Sequence, residues 1–108
     1  MGKDDGEVKP DKYILIGRVA VLEPDLLKWG IWMQTAERKV DETLYKNKRI
    51  STVFLGLDHQ FNEIGKPLIF ETMVFPECEI CERYSTWEEA EKGHKKVVAE
   101  VMGLEFQK

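Results

Sequence analysis

Two cysteines, two histidines and a handful of carboxylates carry whatever metal or acid–base chemistry this sequence holds. Cys78 and Cys81 form a CxxC, which supplies two of the four ligands that a structural zinc requires. A complete site would have to recruit both His59 and His94. His94 falls on an apolar helical stripe, where a hydrogen-bonded core histidine is the simpler reading. A redox CxxC places its low-pKa thiol at a helix N-terminus, and Cys81 stops short of the nearest helix start, at Ser85. The pair is therefore read as two free thiols, with no metal and no cofactor assigned.

Asp58, His59 and Glu71 form the second constellation. Asp58 and His59 leave the end of one strand and Glu71 lies within the next, a set that would suit a metal site or an acid–base pair. With Glu71 paired opposite Phe54 or Leu55, it lies several rungs from the loop and does not reach His59. The chain has no serine nucleophile at an elbow, no phosphate-binding glycine loop and no HExxH. No catalytic residue is assigned. Lys46, Lys48 and Arg49 make a short basic cluster that reads as a solvated turn on an acidic chain.

The elements that would position these groups follow from periodicity. Residues 1–12 are charged and lack an apolar face, which predicts a flexible tail before a single domain over 13–108. Tyr13 to Leu22 reads as one strand bent at Gly17, or as two short pieces. A helix is expected from Pro24 to Arg38, with Pro24 at its first position and a wide apolar face laid across a sheet. In that helix Trp29 reads as core and Trp32 as the better exposed contact. Lys39 to Lys48 reads as a strand and a tight turn. The organising feature is a hairpin from Arg49 to Phe75, with Val53, Leu55, Leu68 and Phe70 as core. Phe75 to Glu82 reads as a loop. Ser85 and Glu88 then form a capping box for a last helix that carries Trp87, Ala90, His94, Val97, Val98 and Val101 on one side and ends near Gly103. Gly93 in mid-helix implies a close approach of helix to sheet. The expected class is α+β, a mainly antiparallel sheet of three to four strands with two helices packed on it, in the order β-α-β-β-β-α.

The segments ISTVFLGLDHQF (Ile50–Phe61), PLIFETMVF (Pro67–Phe75) and ERYSTWEEAEKGHKKVV (Glu82–Val98), with EPDLLKWGIWMQTAER upstream, resemble a family of small uncharacterised proteins encoded by tailed bacteriophages and prophages. The resemblance spans Glu23 to Val98 and implies a phage-derived accessory protein. It carries no established activity, but it directs attention to Asp58, His59, Glu71, Arg83 and Tyr84. Packing explains Glu71, Arg83 and His59 least. A Glu71–Arg83 pair tying the helix start to the sheet and a ligand-binding role are both open. Trp32 completes the candidate ligand-binding set.

A net charge of −4 argues against a dedicated nucleic-acid binder. No apolar run is long enough to span a bilayer, and the charged start is unlike a signal peptide, so a cytoplasmic protein, in the host cytoplasm, is expected. The leading functional expectation is a binding module that sequesters a host protein or a small nucleotide-type signal, with homo-oligomerisation an added expectation. A metal-dependent hydrolase using Asp58, His59 and Glu71, or a virion or assembly component, are the alternatives.

Overall fold

The computed structural model describes residues 11–58, 65–78 and 81–103. Along the chain lie β1 (Tyr13–Ile16), β2 (Val19–Leu22), α1 (Leu26–Thr35), β3 (Lys39–Tyr45), β4 (Lys48–Phe54), β5 (Phe70–Phe75), β6 (Cys81–Tyr84) and α2 (Trp87–Met102). The fold is α+β, with both sheets antiparallel. β1 and β2 form a two-stranded hairpin, and β3 to β6 a four-stranded meander in chain order.

The meander is built by alternation. Ile50, Thr52 and Phe54 of β4 and Phe70, Thr72 and Val74 of β5 are buried on one face, and they pair rung by rung as Ile50–Val74, Thr52–Thr72 and Phe54–Phe70. α2 covers that face with Ala90, Gly93, His94 and Val97. Two apolar clusters result. Phe54, Ile69, Phe70 and Ala90 pack with Leu15 of the hairpin at one end, and Ile50, Val74 and Val97 pack together at the other.

The hairpin expected over Arg49–Phe75 is the β4–β5 pair. Its register differs from the expected one: Glu71 lies opposite Val53, not Phe54 or Leu55. A one-residue step exchanges the faces of a strand. Phe54 therefore takes the core place expected for Val53, and Val53, Leu55 and Leu68 are only half-buried. The fourth strand of the sheet is β6, which forms where a loop was expected to run as far as Glu82. The Tyr13–Leu22 segment is two short strands turning at Gly17.

Both helix starts fall later than their sequence signals suggest. α1 is capped by Asp25, whose Oδ1 accepts from the backbone N–H groups of Leu27 and Lys28 at 3.0 and 3.1 Å. Pro24 thus precedes the cap. The capping box of α2 sits one residue on: Thr86 Oγ1 accepts from Glu89 N–H and Glu89 Oε1 accepts from Ser85 N–H, both at 3.1 Å. Its C-terminus is Gly103, in the left-handed region as a C-cap glycine is expected to be.

α1 is not laid across the meander, and none of its residues is fully buried. It packs against β1, and Trp32 stands edge-on to Phe54 at 5.7 Å between ring centres. Trp29 Nε1 donates to the Gly56 carbonyl at 3.1 Å. Gly56 has φ of 82°, a backbone conformation that side-chain-bearing residues rarely adopt, and the flexible end of Met33 lies next to it. The hairpin reaches α2 through Arg18, whose guanidinium lies 5.2 Å over the Trp87 ring. Of the expected tail only Asp11 and Lys12 are described, and both are paired: Asp58 N–H donates to the Asp11 carbonyl and Lys12 bridges Leu57.

The close approach implied by Gly93 is against Tyr84: a Cβ built on Gly93 would clash with its Cε1, Cζ and hydroxyl oxygen. Gly93→Ala should therefore destabilise the fold by about 1–3 kcal/mol in urea unfolding, even though alanine is intrinsically the better helix former by about 1 kcal/mol. A stabilised variant would mean that α2 can lift from the sheet at no cost.

Candidate functional site

The middle rung of the buried face is polar. Thr52 and Thr72 are directly opposite, both fully buried, and their hydroxyls are hydrogen-bonded. Above them sits His94, 1% exposed. Thr52 Oγ1 meets His94 Nδ1 at 2.7 Å, and Thr43 Oγ1 meets Nε2 at 2.9 Å. On the other side Tyr84 donates its hydroxyl proton to Thr72 Oγ1 at 3.1 Å. With Tyr84 donating to Thr72, a continuous line runs from Thr72 to Thr52 and from Thr52 to Nδ1, and it goes with the tautomer in which Nε2–H donates to Thr43. Burial favours the neutral imidazole. Carboxylates flank both ends: Asp41 Oδ2 is 3.8 Å from Nε2, and Glu82 Oε1 is 3.5 Å from the Tyr84 hydroxyl.

Burial pushes the His94 pKa below the ordinary value of 6.5, and the negative charge of Asp41 opposes that shift. Burial also raises the Tyr84 phenol, partly offset by its bond to Thr72. Both ring nitrogens of His94 bond threonines inside the core, so neither is directed to a metal site shared with Cys78 and Cys81. Cys78 is exposed in the turn before β6 and Cys81 opens that strand. Among the described residues no group of three potential ligands is placed to hold a metal ion.

The candidate ligand residues are dispersed. Glu71 and Arg83 do meet, as directly opposed residues of β5 and β6 with Arg83 Nε 3.0 Å from Glu71 Oε2. The pair joins two strands, not the helix start to the sheet. It stands on the face away from α2, with the Glu71 side chain 12% exposed and Arg83 38%. Tyr84 points to the opposite face, into the hydrogen-bonded line. Trp32 packs on Phe54 and is less free than expected. Asp58 Oδ1 accepts from Leu68 N–H at 3.0 Å and so clips together the two ends of the loop between β4 and β5. His59 lies outside the described residues. In the basic cluster, Lys48 bonds Glu77 at 3.0 Å and Arg49 reaches Glu42 at 3.5 Å while stacking 4.2 Å over Phe75.

A different surface stands out. Ile16, Val19, Leu22, Leu26, Leu27 and Ile31 are each 56–66% exposed, or 73% for Leu27, and all belong to the β1–β2 hairpin and α1. Paired as Ile16–Val19, the first two share the outer face of the hairpin tip. Sequence signals for both features existed. A threonine stands at the centre of two alternating apolar trios, Ile50-Thr52-Phe54 and Phe70-Thr72-Val74. Leu26, Leu27 and Ile31 surround more of a short helix than one sheet can cover.

No protein family, curated protein or solved structure matches this chain.

A histidine held neutral in the fold binds fewer protons than it does unfolded once the pH drops below 6.5. Its contribution is intact above that pH and is lost on acidification, at a slope of up to about 1.4 kcal/mol per pH unit. Thermal melts should therefore show a steeper decline between about pH 7 and 5 for the wild type than for His94→Gln. A parallel decline would mean that His94 takes up its proton without cost. Thr52→Val, which strands the Thr72 hydroxyl and Nδ1, should cost about 1–3 kcal/mol at neutral pH.

Proposed function

We propose that this chain is a small phage or prophage accessory protein that acts by binding, capturing a host protein through the apolar surface of its β1–β2 hairpin and α1. One observation carries the reading: six large apolar side chains more than half exposed, gathered within residues 16–31. Scattered exposed leucines are ordinary, but concentrated ones mark contact surfaces. On this reading the protein works in the host cytoplasm. A protein partner is favoured over a nucleotide-type signal, because Lys48 and Arg49, cations that would read a phosphate, are held by Glu77 and Glu42. The hydrolase alternative is weakened by the commitments of its residues, Asp58 to the Leu68 amide and Glu71 to Arg83.

The test is affinity capture from infected cells with wild type and Ile16→Glu/Val19→Glu, whose altered side chains stand at the hairpin tip and leave the core untouched. The expected result is one host protein in fixed stoichiometry with the wild type, reduced at least about tenfold in the variant, a loss of about 1.4 kcal/mol, with the melting temperature unchanged. Equal capture by both proteins would refute the assignment. So would stoichiometric presence in purified virions with no host partner, which would mark an assembly component.

A further inference from the structure

The two outer edges of the β1–β2 hairpin are not alike. Antiparallel strands bond through alternate residue pairs. Glu23 N–H donates to the Lys12 carbonyl at 2.8 Å, so Lys12–Glu23 is a bonded pair, and in step with it so are Ile14–Val21 and Ile16–Val19. The residues between them, Tyr13 and Leu15 on β1 and Ala20 and Leu22 on β2, turn their N–H and C=O groups outward. The β1 edge is closed: Tyr13 N–H donates to the Gly56 carbonyl at 2.8 Å, and Asp58 N–H to the Asp11 carbonyl at 3.1 Å. The β2 edge is open, because no hydrogen bond among the described residues reaches the outward groups of Ala20 and Leu22.

The edges of the meander carry the usual guards against pairing, which are charges and bulges. Lys39, Asp41 and Glu42 lie on β3, with a bulge between Lys39 and Asp41. Glu82 and Arg83 lie on β6. β2 reads Val-Ala-Val-Leu, with neither charge nor proline, and its Val19 and Leu22 are more than half exposed. Beside it is a cavity of about 190 Å³, lined by Arg18, Val19 and Ala20 of the hairpin and by residues 85–88 at the start of α2. Arg18 is committed there, over the Trp87 ring and 3.8 Å from Glu91. Glu88 is exposed and forms no ion pair among the described residues.

We propose that the open edge of β2 takes up an extended segment of another protein as a third strand, with one side chain in the adjoining cavity and a basic residue against Glu88. Outward N–H and C=O groups on alternate residues select an extended backbone, and a cavity beside the edge selects a side chain. The uncharged strand calls for apolar neighbours, and the unpaired carboxylate for a lysine or arginine. A second copy fits less well: it carries the same net charge of −4, and its β2 holds no basic residue to meet Glu88. The inference rests on reading residues 16–31 as a contact surface for a host protein and adds the form in which that protein binds.

The experiment selects binders to the full chain from a display library of short random peptides and follows amide exchange by NMR. The expected binders alternate apolar residues and carry a lysine or arginine, and they slow exchange at Ala20 and Leu22. Binding should weaken at least about tenfold when the peptide's pairing amides are N-methylated. Leu22→Pro, which removes an outward N–H and no rung of the hairpin, should weaken it equally with the circular dichroism spectrum unchanged. Glu88→Lys should remove the preference for basic peptides. An empty selection, or binders that leave exchange at Ala20 and Leu22 unaltered, overturns the proposal. So does slowing of those amides by rising concentration of the chain alone, which gives the edge to a second copy. Host capture that survives Leu22→Pro but is lost in Ile16→Glu/Val19→Glu removes the added strand alone. Edge-binding peptides without capture from infected cells remove the host-binding reading alone.

Discussion

The hydrogen-bonded line from Tyr84 through Thr72 and Thr52 to His94 is the constraint on which the rest of this fold depends. It divides the interior into two apolar clusters, and it requires α2 and the sheet to match atom for atom. Apolar contacts alone would let a helix slide or rotate over a flat β-surface at modest cost. A buried imidazole that must meet Thr52 with one nitrogen and Thr43 with the other allows a single placement. Gly93 belongs to the same constraint. It lets α2 come down onto Tyr84, and Tyr84 in turn completes the line.

Much of the scaffold was legible in the sequence, because it rests on strong periodic signals. The β4–β5 hairpin, the two helices, the Lys46-Asn47 turn and the buried His94 all follow from apolar spacing and turn chemistry. What failed was registration. Val53-Phe54-Leu55 and Leu68-Ile69-Phe70 are unbroken apolar runs, so alternation does not say whether Val53 or Phe54 faces inward. The cross-strand partner of Glu71 is accordingly Val53 and not Phe54 or Leu55. β6 was missed because CERY is short and charged. Its strand character comes from pairing with β5, which supplies Tyr84 opposite Phe70 and Arg83 opposite Glu71.

The candidate site was less legible than the fold. Reading polar residues singly drew attention to Asp58, Glu71 and Arg83, whose roles within the chain are a loop clip and a cross-strand ion pair. The two threonines at the buried rung looked like ordinary strand residues. Their significance lies in being opposite each other, a fact of register that a linear sequence does not display. The apolar surface over residues 16–31 was hidden for the opposite reason. Its residues look like core, and only the placement of α1 beside the sheet, rather than across it, leaves them outside.

The same hydrogen-bonded line also has a direction. Tyr84 has one hydroxyl proton and two acceptors within reach, Thr72 and Glu82. A proton arriving at Nδ1 of His94 turns that nitrogen from acceptor to donor, so Thr52 must turn its own proton towards Thr72, and Thr72 towards Tyr84. The phenol then has only Glu82 left to receive its proton. The buried rung thus connects a histidine beside Asp41 on β3 to a phenol beside Glu82 on β6 through hydroxyls alone.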